Sequence, residues 1–202
     1  MTYTTERMQG PILYQTTDDY YKFSSTEINC INKTTAFTED QVLKLPDLHG
    51  LKEYIQLHVD RYKEDVLRAT DDVQFYVSQS WLSKYNTGDG QVHNMHMNSV
   101  LTGCIDVSEG EGESIFYADG RNEVFPGLEF PYNAIPFSVS EYRQGKVTLW
   151  PSRIPYTVPP NKLSTEVVKV WFNVYVYGTL GIGGINAPFN THSRVTIQKP
   201  ND

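Results

Sequence analysis

The sequence predicts a mainly β protein in which two helices precede a β-sandwich or jelly roll. Three observations support this class. Aromatic residues make up 13% of the 202 residues, and tyrosine, which favours strands, is the most frequent of them. After residue 72, short stretches of alternating apolar and polar residues dominate, and turns rich in glycine or proline separate them. We therefore expect the helices to cover one face of a sheet.

The length of 202 residues predicts one ordinary domain with short extensions. We divide the chain into an N-terminal arm over residues 1–37, a main domain over residues 38–181 and a C-terminal tail over residues 182–202. The arm is expected to be irregular, with short strands such as residues 11–15. No internal repeat or low-complexity linker interrupts the main domain.

Two helices are predicted at the start of the main domain. The first begins at Thr38, because a hydroxyl cap is followed by the acidic residues Glu39 and Asp40. Pro46 interrupts it, and the second helix then runs to about residue 71. Its apolar residues recur every three or four positions, which predicts a helix that covers a sheet: Leu48, Leu51, Ile55, Val59, Tyr62 and Val66.

The rest of the main domain is predicted to consist of strands and one long loop. The predicted strands are residues 73–85, 92–97, 100–107, 114–118, 146–150, 156–158 and 166–177. The stretch 120–144 is interpreted as a lid-like or partner-binding loop. Aromatic residues in and beside it either pack on their own domain or anchor a partner: Tyr117, Phe125, Phe130, Tyr132, Phe137 and Tyr142.

Composition excludes several kinds of partner. A net charge of −7 argues against nucleic acid as a main partner, because phosphate binding needs clustered Lys and Arg. No stretch approaches the roughly 20 apolar residues of a membrane helix, and no secretion signal is visible at the N-terminus. Cys30 and Cys104 are interpreted as reduced, mostly buried thiols rather than a disulfide framework.

Other candidate residues have simpler interpretations. His49 and His58 lie on the predicted helices and are expected at the surface or in helix packing, and His192 is expected to be exposed in the tail. Cys104 lies on a predicted strand with no base assigned to it, so we expect it in the core. The glutamate-rich residues 109–113 are interpreted as a solvated hairpin turn rather than a calcium loop.

A set of short motifs follows a definite order along residues 73–181: Ser80-Trp81, Gly88, His96-Met97-Asn98-Ser99, Thr102-Gly103, Gly145, Trp150-Pro151-Ser152, Val158-Pro159-Pro160-Asn161, Phe172-Asn173 and Gly178-Thr179-Leu180-Gly181. In order and spacing they resemble the 2-oxoglutarate/Fe(II)-dependent dioxygenases frequent in T4-like phages of marine cyanobacteria. The resemblance implies a double-stranded β-helix domain of the jelly-roll or cupin type. It also implies an Fe(II) site built on histidines, and an arginine that binds the co-substrate acid.

The chain departs from this family pattern at the positions that carry the chemistry. In the first segment, His96 matches the second histidine, but Asn94 stands at the position of the first. His93 is one residue off, and on a regular strand it would point to the opposite face. Tyr156 stands where the downstream histidine is expected, and the arginine is missing, although Lys169 could offer a point charge nearby. Three such losses predict a fold that has been kept without its chemistry.

Two function hypotheses from different classes follow from the resemblance. The first is a non-catalytic structural or accessory protein of a phage virion, for example of the neck or tail region, made in the host cytoplasm. It would need no cofactor, and it would bind other virion proteins or copies of itself through loops, arms and open sheet edges.

The alternative is an active or altered Fe(II)/2-oxoglutarate-dependent dioxygenase that hydroxylates a protein or a nucleotide. His96 would then bind the metal, His93 or Asn94 together with Tyr156 would complete the site, and Lys169 would hold 2-oxoglutarate. A third possibility, a jelly roll that binds a sugar or small molecule, requires a concave pocket lined by aromatic residues.

Overall fold

The computed structural model describes residues 3–7, 12–18, 20–35, 41–69, 72–110, 112–117, 137–180 and 195–199. The predicted helix start at Thr38, most of the 120–144 loop and His192 lie outside these residues. Within them, two sheets of antiparallel strands enclose one apolar core, and two helices form a second core with the larger sheet. The predicted class, mainly β with two helices, is confirmed.

The helices are α1 (Ser25–Lys33) and α2 (His49–Arg61). A π-helical turn over Tyr62–Leu67 continues α2, and a 3₁₀ turn over Pro46–Leu48 precedes it. Neither α1, α2 nor any other helix among the described residues is long and apolar enough to cross a membrane.

The described strands form two sheets. Their bounds are β1 (Tyr3–Arg7), β2 (Ile12–Thr16), β3 (Val73–Tyr85), β4 (Gln91–Asn94), β5 (Leu101–Asp106), β6 (Glu113–Tyr117), β7 (Phe137–Glu141), β8 (Val147–Pro151), β9 (Tyr156–Val158), β10 (Val167–Leu180) and β11 (Val195–Ile197). The larger sheet has the order β1-β2-β8-β5-β10-β11, with β3 also paired to β10. The smaller sheet has the order β4-β9-β6-β7.

The predicted apolar stripe of α2 packs on the larger sheet. Five of its six residues are fully buried: Leu48, Leu51, Ile55, Val59 and Tyr62. Each such side chain contributes about 1.5–3 kcal/mol by its removal from water. The helix layer therefore stabilises the sheet and leaves the other face of the sheet to form the barrel interior.

Strand β10 separates the two cores because successive side chains of a strand point to opposite faces. Val168, Val170 and Phe172 belong to the core under the helices, whereas Val167 and Trp171 belong to the core between the sheets. At the start of β10, the odd-numbered side chains therefore face the barrel interior, where a functional site would lie.

Helix α1 was not predicted, and this part of the expected irregular arm needs correction. Ser24 caps α1, and its side chain and that of Glu27 form a reciprocal capping box. The Ser-x-x-Glu signal was present in the sequence, but the helix has nine residues and buries Ile31 as its one fully buried apolar side chain. Where a longer helix was predicted after Thr38, the described residues contain only a 3₁₀ turn over Val42–Lys44.

Another part of the expected arm is built into the larger sheet. Strand β2 pairs with β8, so Tyr14 enters the core under the helices and Leu13 enters the barrel interior. The Tyr14 hydroxyl lies 2.6 Å from Nδ1 of His58, which is almost fully buried on α2. This hydrogen bond links the N-terminal strand to the helix layer.

Candidate functional site

Three polar side chains meet at the mouth of the barrel, where β4 ends and β9 begins. Asn94 and Tyr156 are direct partners in the pairing of these two strands. His96 follows β4 in a turn, and its backbone N–H donates to the carbonyl oxygen of Ser152 at 3.1 Å. The structure therefore brings Tyr156 together with His96 and Asn94, which lie 60 and 62 positions before it in the sequence.

The Tyr156 hydroxyl is the centre of this cluster. Nε2 of His96 lies 3.0 Å from the hydroxyl oxygen, and Nδ2 of Asn94 donates to the same oxygen at 3.4 Å. The rings of His96 and Tyr156 are stacked, with 5.9 Å between their centroids. Tyr156 is fully buried, whereas His96 and Asn94 are half-buried.

Large aromatic rings fill the interior next to the cluster. The ring of Trp171 stacks on Tyr156 at 5.1 Å between centroids, and Trp150 meets the same ring edge-on at 5.2 Å. Trp81 lies 5.2 Å from the ring of His96. Aromatic packing of this kind contributes beyond simple burial and holds Tyr156 in one orientation.

Burial keeps both partners of the central hydrogen bond neutral at physiological pH. It raises the pKa of the Tyr156 phenol well above its usual value of about 10. It lowers the pKa of the His96 imidazole below its usual value of about 6.5. The cluster is thus an uncharged imidazole, an uncharged phenol and an amide.

Lys169 lies deep in the barrel and already has a counter-ion. Its side chain is 1% exposed, and its ammonium forms an ion pair with Asp106, the residue opposite it on β5. The ammonium also lies 3.7 Å from the centroid of the Tyr142 ring. Oδ2 of Asp106 accepts a further hydrogen bond from the backbone N–H of Arg143 at 3.1 Å.

The ion pair determines the charge state of Lys169. Burial alone would lower the pKa of this group, but the adjacent Asp106 carboxylate outweighs burial and raises the pKa above its usual range. Sequence reasoning identified Lys169 and missed Asp106. The signal was available, since Asp106 is the one charged residue of a strand that is otherwise uncharged.

Four motif residues near the mouth and Gln79 form a hydrogen-bonded chain that links strands β5, β10 and β3 to the turn after β8. The hydroxyl oxygens of Ser99 and Ser152 are 2.6 Å apart, and those of Ser152 and Thr102 are 2.9 Å apart. Thr102 donates to Oδ1 of Asn173 at 3.1 Å, and Nδ2 of Asn173 donates to Oε1 of Gln79 at 3.1 Å. These residues hold the turn that carries His96 against the larger sheet.

Two other motif residues also have architectural roles. Nδ2 of Asn161 donates to the carbonyl oxygens of Tyr85 and Thr165 at 2.9 and 2.8 Å, which fixes the loop after β9. At Gly103, an added Cβ would collide with the Phe172 ring beneath the helix layer. These matched motif residues therefore contribute to the frame of the barrel.

The remaining predicted residues do not join the cluster. The backbone of His93 lies in β4, and its side chain is outside the described part of the structure. Cys104 is buried in the barrel interior, and burial raises the pKa of its thiol to about 12, as expected of a core residue. Among the loop aromatics, Tyr142 packs over Lys169. Tyr117 and Phe137 are described by their backbone alone, and Phe125, Phe130 and Tyr132 lie outside the described residues.

The described side chains do not fit the iron and 2-oxoglutarate that the motif resemblance implies. Ferrous iron in this type of site takes two imidazoles and a carboxylate, whereas the cluster offers one imidazole, an amide and a phenol held in its protonated form. Among the described residues, no three His, Cys, Asp or Glu side chains converge in a way that could hold a metal ion. Lys169 is neutralised by Asp106 and carries no free charge for an acid.

Breaking the buried ion pair should be costly. In an Asp106→Asn variant, Lys169 would be left as a buried cation without a counter-ion, and we expect a loss of about 3–5 kcal/mol in the free energy of unfolding. Urea denaturation measures this loss. The matched control is Glu141→Gln, which removes an exposed ion pair with Arg143 and should cost at most about 1 kcal/mol. Equal losses in the two variants would contradict the assigned role of Asp106.

The depressed pKa of His96 predicts a specific dependence of stability on pH. The unfolded chain binds the imidazole proton more tightly than the folded chain does, so stability falls as the pH drops below about 6.5. A His96→Gln variant keeps an amide near Tyr156 but cannot be protonated there, so its unfolding free energy should depend less on pH in this range. Urea denaturation at several pH values measures the two curves. Identical curves for the wild-type chain and the variant would refute the prediction.

Solved structures with this architecture share little sequence with the chain. It is similar to an oxidoreductase of the 2OG-Fe(II) oxygenase family from Burkholderia pseudomallei, with a TM-score of 0.57 and 12% identity over 81% of this chain and 84% of that one. It is also similar to SnoK, a non-heme alpha-ketoglutarate-dependent carbocyclase from nogalamycin biosynthesis, with a TM-score of 0.50 and 14% identity over 80% of this chain and 81% of that one. No family model and no curated protein matches the sequence. The chain thus has the double-stranded β-helix fold of the 2OG-Fe(II) oxygenases.

Proposed function

We propose that this protein is a non-catalytic member of the oxygenase fold that works by association, as a structural or accessory component of a phage virion. One observation carries the non-catalytic part. The hydroxyl of Tyr156, which the motif resemblance aligns with a metal-binding histidine, is hydrogen-bonded to His96 and Asn94. The cluster satisfies its own hydrogen bonds and requires no ion.

The chemistry of the donor atoms supports this proposal. A phenol binds iron as the phenolate, and burial makes the loss of the Tyr156 proton more difficult. The amide of Asn94 is a weaker and uncharged donor. Among the side chains that the structure describes at this site, His96 is then the one imidazole that could hold the metal, and a single imidazole does not form a site that retains ferrous iron.

The buried ion pair between Lys169 and Asp106 also supports the proposal that the protein is non-catalytic. A keto-acid co-substrate needs an unpaired cation for its distal carboxylate. The buried cation Lys169 is already paired with the carboxylate of Asp106 on the neighbouring strand. Asp106 thus stands where the carboxylate of a co-substrate would have to bind. An entering acid would have to displace an internal carboxylate that also accepts a backbone hydrogen bond from Arg143.

The virion part of the proposal rests on the resemblance of the sequence motifs to phage proteins. An acidic chain with a rigid β frame suits an assembly role. The frame can hold binding loops in fixed positions for a partner, and this does not require an active site. The alternative, an active dioxygenase, is favoured by the fold and by the position of His96 in the first motif.

The first experiment measures co-substrate binding and turnover. Calorimetry with Fe(II) and 2-oxoglutarate under anaerobic conditions should give no binding heat, and aerobic incubation should yield no succinate above a protein-free blank. Fe(II)-dependent binding of 2-oxoglutarate, or succinate formation, would establish the alternative. Because binding is measured as well as turnover, the result does not depend on knowing the hydroxylated substrate.

A matched variant shows whether the barrel mouth can hold a metal once suitable donors are present. Asn94→His combined with Tyr156→His should place three imidazoles around one point, and we expect this variant to bind Zn²⁺ or Ni²⁺. Metal at about 100 times its Kd would then stabilise the variant by about 2.7 kcal/mol. Thermal unfolding with and without metal measures the effect. An equal metal-dependent shift in the wild-type chain would contradict the proposal.

The virion assignment has its own test. The chain should co-purify with assembled phage particles through a density gradient, at a constant ratio to the major capsid protein, as measured by quantitative mass spectrometry. A chain found only in the unsedimented fraction of an infected-cell lysate would refute the virion role and leave the non-catalytic assignment standing.

A further inference from the structure

A groove runs between helix α2 and the outer edge of strand β3, and we call it the β3 groove. It consists of two adjoining cavities of about 380 and 670 Å³, which have Leu43, Lys44 and Lys52 as shared lining residues. Residues of β3 between Gln74 and Ser80 form one wall. The other wall is a row of α2 residues spaced three or four positions apart: His49, Lys52, Gln56 and Asp60.

The β3 wall of the groove is the edge of a sheet. One side of β3 pairs with β10 along the whole strand, whereas on the other side the described residues form one isolated parallel bridge, between Gln41 and Ser80. Nε2 of Gln41 donates to the carbonyl oxygen of Ser78 at 3.0 Å, and Nε2 of Gln56 donates to that of Phe75 at 2.9 Å. Side-chain amides therefore occupy positions that the N–H groups of a further strand could take.

The length of the groove matches a short extended peptide. Helix α2 rises about 16 Å from His49 to Asp60. Strand β3 extends about 20 Å from Gln74 to Ser80. An extended chain of about five or six residues covers the same distance. The groove is thus long enough for a segment to contact both walls along several residues.

The charge of the groove is opposite to that of the whole chain, which has a net charge of −7. Lys44 and Lys52 are exposed, and neither has an ion-pair partner within the described part of the structure. Lys199 also lines the groove. Asp60 is the one carboxylate among the described lining residues, and Nε2 of Gln56 donates to it at 2.8 Å. The groove therefore attracts acidic ligands.

We propose that the β3 groove binds an extended acidic segment of a partner protein, which adds to the edge of β3 as a further strand. This inference rests on the proposed function, since it names the kind of partner for a protein that works by association. N–H groups of the segment pair with carbonyl oxygens of β3 in place of the glutamine amides, and its carboxylates pair with Lys44 and Lys52. Strand addition supplies affinity through the main chain, and the side chains supply specificity.

The two walls together favour a peptide over nucleic acid. The lysines alone could attract either polyanion, but a sheet edge needs a partner with a regular row of backbone donors and acceptors. A phosphate backbone has no such donors. The net charge of −7 also repels a long nucleic acid outside the groove.

Fluorescence anisotropy of the full chain with a labelled peptide of alternating Glu and Val tests the proposal. We expect saturable binding that weakens as salt is added, because exposed charges are screened. A double variant, Lys44→Gln with Lys52→Gln, should bind the peptide about fivefold more weakly, since it removes two exposed ion pairs. The matched control is Lys162→Gln, which removes an exposed lysine outside the groove and should bind like the wild type.

Two further probes separate strand addition from attraction between charges. The same peptide with N-methyl groups along its backbone keeps its carboxylates but lacks N–H donors, so it should not bind, and neither should an oligodeoxythymidine of equal charge. Far-UV circular dichroism confirms that each variant is folded.

The proposal is overturned if the acidic peptide does not bind, or if the N-methylated peptide or the oligonucleotide binds equally well. It is also overturned if the double variant binds as tightly as the wild type, or if Lys162→Gln weakens binding to the same extent as the double variant. Peptide binding by a chain that forms succinate would refute the proposed function and leave the groove standing. An inactive chain that does not bind the peptide would do the reverse.

Discussion

The hydrogen bond between the hydroxyl of Tyr156 and the ring of His96 determines the character of the barrel mouth. A buried phenol requires a partner, because an unpaired polar group in an apolar interior costs free energy. His96 and Asn94 provide that partner within the chain. The ring of Trp171 stacks on Tyr156 and holds it in one orientation. The Tyr156 hydroxyl therefore has its hydrogen-bond partners within the chain, and its ring is fixed by packing.

Deeper in the barrel, two buried charged groups are also paired with each other. Lys169 is tolerated in the interior because Asp106 lies directly opposite it and the face of the Tyr142 ring covers its ammonium. Such a pair gains little over well-packed apolar residues, but removing either partner is expensive. The barrel thus contains one neutral and one ionic cluster, and each is satisfied by side chains of the chain itself.

The motif residues explain why the resemblance predicts this fold. Ser99, Thr102, Ser152 and Asn173 connect strands through hydrogen bonds, and Gly103 allows the Phe172 ring to pack under the helices. These requirements belong to the frame of the barrel. The side chains that the resemblance assigns to the metal are a separate set, and at two of their positions this sequence has Asn94 and Tyr156.

The sequence by itself determined the elements whose signals are local. The stripe of α2 and the bounds of β3 and β9 follow from periodicity, since the side chains that create each pattern are neighbours along the chain. Only the tertiary structure decided that Asp106 neutralises Lys169, 63 positions away, and that Tyr156 is bound by His96, 60 positions away. Pairings of this kind depend on which strands lie side by side, and the local pattern of a strand does not encode its neighbour.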